Sequence, residues 1–178
     1  MCYITSIYSK HTIIVKKFQK EVFWALLHEK ECQRWHLDLP KFPKLRTYRL
    51  FKSTYSVEPY VVNVLSRKRR SLLAQLRMGV LPIAIETGRW RSVPAEERFC
   101  TLCTDQKVED EFHFIFECPA YQIERENFLA VVSGLCQRFN EKSLNEKWNV
   151  IMSEQCINHT GQYLENIFEI RQKYVYNL

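Results

Sequence analysis

Cys100 and Cys103 stand two residues apart, followed by His113 and then by Cys118-Pro119. Three thiols and one imidazole inside positions 100–118 have the ligand count and chemistry of a closed, tetrahedral metal site. Thiolate and imidazole donors suit zinc, whereas magnesium and calcium ask for oxygen. The Cys-x2-Cys pair can turn two thiolates toward one ion. His113 and Cys118 offer a second pair from a neighbouring element, and Pro119 fixes the exit. The other reading of His113 is a satisfied core histidine among Phe112, Phe114 and Phe116. Cys136 or Cys156 could replace a ligand but lack comparable spacing; with Cys2 and Cys32 they read as ordinary thiols. Asp110 and Glu111 are candidates to orient the His113 ring by accepting its hydrogen bond. The bland reading of residues 109–111 is a solvated acidic turn.

A catalytic zinc keeps an open position beside three protein ligands, and four good ligands close the shell. No His-Glu-x-x-His occurs, nor the deaminase order of His-x-Glu before Pro-Cys-x-x-Cys. The three aspartates, Asp38, Asp105 and Asp110, form no adjacent pair for two-metal phosphoryl transfer. Gly-rich phosphate loops and nucleophile elbows are absent too. The expectation is a structural metal site and no catalytic residue.

The elements that must position these ligands read as mostly α. Ile14, Phe18, Val22, Ala25, Leu26 and Cys32 recur at helical steps and predict a long amphipathic helix over about 13–35, ended by the prolines at 40 and 43. Residues 45–52 alternate basic with apolar or aromatic types, as a short strand or an extended arm would. A helix over 60–77 follows Ser56 and Pro59, its apolar face carrying Val61, Val64, Leu65, Leu72, Leu73 and Leu76. Gly79 and Pro82 close it. Beyond the metal ligands, Ile123, Phe128, Val132, Leu135 and Phe139 suit a helix starting near Pro119, and two shorter helices are expected around 144–152 and 162–174. The fold class is therefore a helical domain with a small zinc-knuckle or β-hairpin module. Its segments are 1–40 (N-terminal amphipathic helix), 41–98 (basic helical region), 99–120 (metal module) and 121–178 (C-terminal helices).

With 178 residues, 46% hydrophobic, and only 4 Gly, the chain can build a real core and does not read as disordered. No apolar run approaches the roughly 18–20 residues of a membrane span. No secretion signal opens the chain, so an intracellular setting with reduced cysteines is expected, and no membrane partner. Net charge is +6, but its distribution says more. Nine basic residues between 41 and 70 face Glu58 alone, whereas acids outnumber bases across 105–126. A basic stretch beside an acidic metal module suggests one surface for a polyanion. Arg46, Arg49, Lys52, Arg67, Lys68, Arg69, Arg70 and Arg77 are the candidate phosphate contacts for RNA or DNA. Tyr48, Phe51 and Tyr55 are candidates for stacking on unpaired bases.

The ordered combination of KLRTYRLFK at 44–52, EPY at 58–60, RRSLLAQLR at 69–77, IETGR at 85–89, PAEERFC at 94–100, Cys103, VEDEFHF at 108–114, ECP at 117–119, Tyr121 and Arg125 resembles a known family. It is similar to the segment downstream of the polymerase in LINE-type (non-LTR) retrotransposon proteins and their metazoan genomic relatives. The resemblance covers roughly residues 44–125. It implies a Cys-Cys-His-Cys zinc element at Cys100, Cys103, His113 and Cys118. It also implies a nucleic-acid-associated accessory role beside a reverse transcriptase, which is then a possible partner. The polymerase fingers and palm with their catalytic aspartates are missing, as is a recognisable endonuclease, so the chain reads as a detached C-terminal fragment. Two further readings stay open: a protein–protein docking module using the aromatic stripe of the last helix, and a relic reading frame with no selected function.

Overall fold

The computed structural model describes the backbone of residues 2–42 and 45–176, and their side chains except those of 2–15, 46, 50, 51 and 176. The described residues are mostly helical, and the chain divides into two units, residues 1–42 and residues 43–178.

The first unit is one helix, α1 (Cys2–Asp38), with a 3-10 turn at Leu39–Lys41. At 1.5 Å per residue, its 37 residues span about 55 Å. Pro40 stops it, and Phe42 N–H closes the turn on the Leu39 carbonyl. Phe18, Phe23, Trp24 and Leu26 are exposed along it. No helix among the described residues is long and apolar enough to cross a membrane.

In the second unit, α2 (Arg46–Phe51) is a helix where alternation had suggested a strand or arm. Its register buries Thr47 and sets the Tyr48 ring beside the Arg77 guanidinium, 5.7 Å away. The single helix expected over 60–77 is two: α3 (Pro59–Asn63) and α4 (Arg67–Met78). Val61, Val62 and Val64 are β-branched and weak helix formers. The Arg70 side chain then takes the carbonyls of Val64 and Leu65, both at 2.7 Å, and the Ser66 hydroxyl caps α4 on Arg69 N–H. Leu65, expected on the apolar face, is 90% exposed as a result. Gly79 ends α4 in the left-handed conformation (φ 63), with its own N–H on Leu76 O and that of Val80 on Gln75 O.

The remaining helices are α5 (Ala84–Trp90), α6 (Gln122–Leu135), α7 (Leu144–Ile151) and α8 (Ile157–Tyr176). Helix α8 packs against both α4 and α6. The core joins Leu72, Leu73 and Leu76 of α4 to Phe128 and Val132 of α6, Trp148 and Ile151 of α7, and Tyr163, Leu164 and Ile167 of α8. Phe128 stacks on Tyr163 at 4.4 Å. The aromatic stripe of α8, a candidate docking face by sequence, is therefore largely spent inside this unit, although Tyr174 remains exposed. Ile123 and Leu135, expected on the buried face of α6, are exposed. No strand occurs among the described residues. The expected β-hairpin reduces to one antiparallel bridge between Phe99 and Val108.

Candidate metal centre

The first two candidate ligands sit on the loop closed by that bridge, where Cys100 N–H bonds Lys107 O at 2.8 Å and Glu109 N–H bonds Arg98 O at 2.9 Å. Arg98 anchors the loop's start by donating to the carbonyls of Val93 and Ile85. It crosses α5 at Gly88, where a Cβ would lie 2.6 Å from the Arg98 side chain. Backbone N–H groups of Leu102 and Cys103 point at the Cys100 sulfur, that of Asp105 at Cys103, and that of Ala120 at Cys118. Such bonds stabilise thiolates.

The second pair comes from a π-helical turn, His113–Glu117, in which Cys118 N–H returns to His113 O at 2.8 Å. This wide turn brings residues five apart to one side. Phe114 and Ile115 fix it by burying fully in the core, and Tyr163 donates its hydroxyl to Ile115 O at 2.7 Å. Arg125 caps the exit by donating to Cys118 O.

Cys100, Cys103, His113 and Cys118 thus place one ligand atom each within 4.8 Å of one another. Cys100 Sγ lies 3.8 Å from Cys118 Sγ, and Cys103 Sγ lies 3.5 Å from His113 Nε2. Cys100, Cys118 and His113 are buried, and Cys103 is partly so. This donor set and spacing are compatible with a bound metal ion. No protein-family model, curated protein or solved structure matches the chain.

The hydrogen bond between the Cys100 and Cys118 sulfurs lowers the pKa of Cys100 and raises that of Cys118, and burial adds to the rise of Cys118. Burial raises Cys103.

The carboxylates around the imidazole are not those expected. Asp110 accepts the backbone N–H of His113 at 2.8 Å, capping the π turn, and does not serve the ring. Glu111 is buried, and neither it nor Glu109 belongs to a solvated turn. The carboxylate facing His113 Nδ1 is Glu117, at 3.6 Å, itself held by Lys107 at 3.0 Å. With Nε2 toward the metal position, Nδ1 is buried without a hydrogen-bond partner, so a small shift of Glu117 would complete the pair. The His-x4-Cys spacing puts Glu117 at i+4 from His113, a signal available in the sequence. Glu109 is fully buried; one carboxylate oxygen accepts Ala84 N–H at 2.7 Å, and the other is ion-paired with Arg171 of α8. Burial pushes its carboxyl up to about 7, with Arg171 pulling the other way.

The candidate phosphate contacts scatter. Lys52 and Arg77 are buried on either side of Glu58, at 2.7 and 2.6 Å, and so face the interior. Lys68 and Arg69 pair with Glu165 of α8, and Lys68 also with Glu169. Arg70 is spent on the Val64 and Leu65 carbonyls. Arg49 and Arg67 are exposed. The side chain of Arg46 lies outside the described residues, as do those of Phe51 and Lys44.

Proposed function

We propose that the protein is a non-catalytic, zinc-clasped helical module of the retrotransposon type its sequence resembles, accompanying a reverse transcriptase and meeting RNA or DNA through charge and shape. The cluster geometry carries the metal half. Tetrahedral zinc with Zn–S of about 2.3 Å and Zn–N of about 2.0–2.1 Å separates two sulfurs by about 3.8 Å and a sulfur from a nitrogen by about 3.6 Å. The 3.8 and 3.5 Å separations match both. Four protein ligands fill the shell and leave no position for a substrate, so the ion acts as a clasp.

The nucleic-acid half rests on the resemblance and on the exposed bases Arg49 and Arg67, with Lys68 half available at 54% side-chain exposure. Two or three phosphate contacts give a log–log salt slope of about −2 to −3. Metal analysis of reduced, purified protein should find one zinc per chain; none would sink the clasp. Fluorescence anisotropy with single-stranded RNA and duplex DNA across a salt series tests the rest. Arg67→Ala should shallow the slope by about one, whereas Arg77→Met should leave it unchanged. A second reading, protein docking, is favoured by the exposed Phe18, Phe23, Trp24 and Leu26 of α1. It takes over if the wild type binds no nucleic acid at low salt.

A further inference from the structure

We propose that the cleft between α5, α7 and the segment leading into the π turn is a docking site for a basic segment of a partner polypeptide, which seats an arginine or lysine by its stem and its charged head together. The proposal stands apart from the zinc and nucleic-acid readings. The cleft encloses about 660 Å³, within the range of ligand sites. Its lining is mostly apolar: Ile85 of α5, Val108, Phe112 and, only 2% exposed, Trp148 of α7. Contacts within the chain brace this wall. Phe112 packs on Phe116 at 5.4 Å, and Phe116 on Trp148 at 5.2 Å. Ile85 N–H bonds Glu109 O at 3.0 Å, and Phe114 N–H bonds Asp110 O at 3.0 Å.

Charge selects the occupant. Glu96, Asp110 and Glu111 line the same cleft, and among the described residues no basic side chain does. Glu96 is exposed, whereas Glu111 is 5% exposed and Asp110 gives one carboxylate oxygen to His113 N–H. A nucleic-acid phosphate would be repelled here. A purely apolar partner would strip water from carboxylates and return nothing to them. Arginine and lysine fit both halves, because each carries a cationic head on an apolar stem. The stem lies along Val108 and Phe112, and the head meets the carboxylates; a guanidinium can do so with two parallel hydrogen bonds. The volume admits such a side chain together with an apolar neighbour from the same extended segment.

The test uses the full chain, isotope-labelled and purified under reducing conditions, titrated in amide NMR spectra with short Gly-Ser peptides that carry either Leu-Arg-Leu-Arg or Leu-Glu-Leu-Glu. The arginine peptide should shift the amides of Ile85, Glu96, Phe112 and Trp148, and the glutamate peptide should leave them in place. Glu96→Lys should weaken the arginine peptide about tenfold, since reversal removes an attraction and adds a repulsion. Ala95→Trp, which fills the cleft without changing charge, should abolish those shifts. Glu126→Lys makes the same charge change outside the cleft and should stay within about threefold of wild type. Ala95, Glu96 and Glu126 are all exposed, so these variants keep the fold. Equal weakening by Glu96→Lys and Glu126→Lys would reduce the effect to net charge and overturn the site. So would an arginine peptide that leaves the four amides unmoved, or single-stranded RNA that moves them in its place.

Discussion

Replacing Glu58 by Gln should cost about 3 kcal/mol of stability, because this carboxylate is shared by two buried cations. Its oxygens lie 2.7 Å from Lys52 Nζ and 2.6 Å from Arg77 Nη2, with the cationic side chains 7% and 4% exposed. Removing one partner of a buried pair typically costs about 3–5 kcal/mol. The lower end applies here, since both cations keep other company. Lys52 donates to Ser56 O and Oγ, and Arg77 lies against the rings of Tyr48 and Tyr60 at 5.7 and 5.9 Å. With a urea m-value of about 2 kcal/mol/M, the unfolding midpoint of the zinc-loaded protein should fall by about 1.5 M. Glu58→Leu combined with Arg77→Met should recover much of the loss, because apolar replacement of a whole buried pair is often near neutral. A Glu58→Gln midpoint within about 0.3 M of wild type, less than about 1 kcal/mol at that slope, would refute the interior assignment of Lys52 and Arg77 and return both to the surface.

Cys118→Ser should abolish stoichiometric zinc in metal analysis, and wild-type zinc affinity should climb with pH, since each ligand thiol must lose its proton to bind. Leu73→Ala, at a fully buried α4 residue 3.3 Å from where a Cβ on Gly161 of α8 would stand, should cost about 2–5 kcal/mol in urea denaturation. Hydrogen bonds from Arg69 and then Lys68 hold the Glu165 carboxyl below its usual range, so its contribution is present above the unfolded carboxylate range and lost as pH falls through the folded one. Comparing the pH dependence of unfolding below pH 5 in wild type and Glu165→Gln should show the variant losing less stability on acidification, and parallel curves would contradict this.

What was legible in the sequence was local. The four candidate ligands stand out because their spacing is short, and the structure brings all four together. The long first helix and those of α6, α7 and α8 followed from apolar periodicity. What stayed hidden depends on partners far along the chain. Arg69 meets Glu165 across 96 residues, and Arg171 meets Glu109 across 62, so a run of bases read as a surface is partly an internal lattice of pairs. Glu58 stood out as the lone acid in the basic stretch, yet nothing local said that it gathers Lys52 and Arg77 around itself. The break at 64–66 was masked by apolar residues that continue in register across it. The side-chain caps of Ser66 and Arg70 decided against the longer helix.

The loop that carries Cys100 and Cys103 has little apolar burial of its own, which a bound metal would offset. Residues 101–107 contribute no buried side chain, and Leu102 and Cys103 are only partly covered. Apolar burial therefore gives this segment little reason to stay closed, while its turn has already committed backbone N–H groups to sulfur. Zinc in comparable small sites contributes about 10–16 kcal/mol of apparent binding energy, as large as the 5–15 kcal/mol that usually separates a folded domain from its unfolded chain. The two ends of the loop, by contrast, are well anchored. Arg98 is clamped to α5, and Phe114 and Ile115 are sunk in the core. Metal loss should consequently open the loop first and leave the α4–α6–α8 packing largely standing. Chelation should therefore make residues 99–108 the earliest site of limited proteolysis, and first cleavage within α4 or α6 would show that the helical core depends on the metal as much as the loop does.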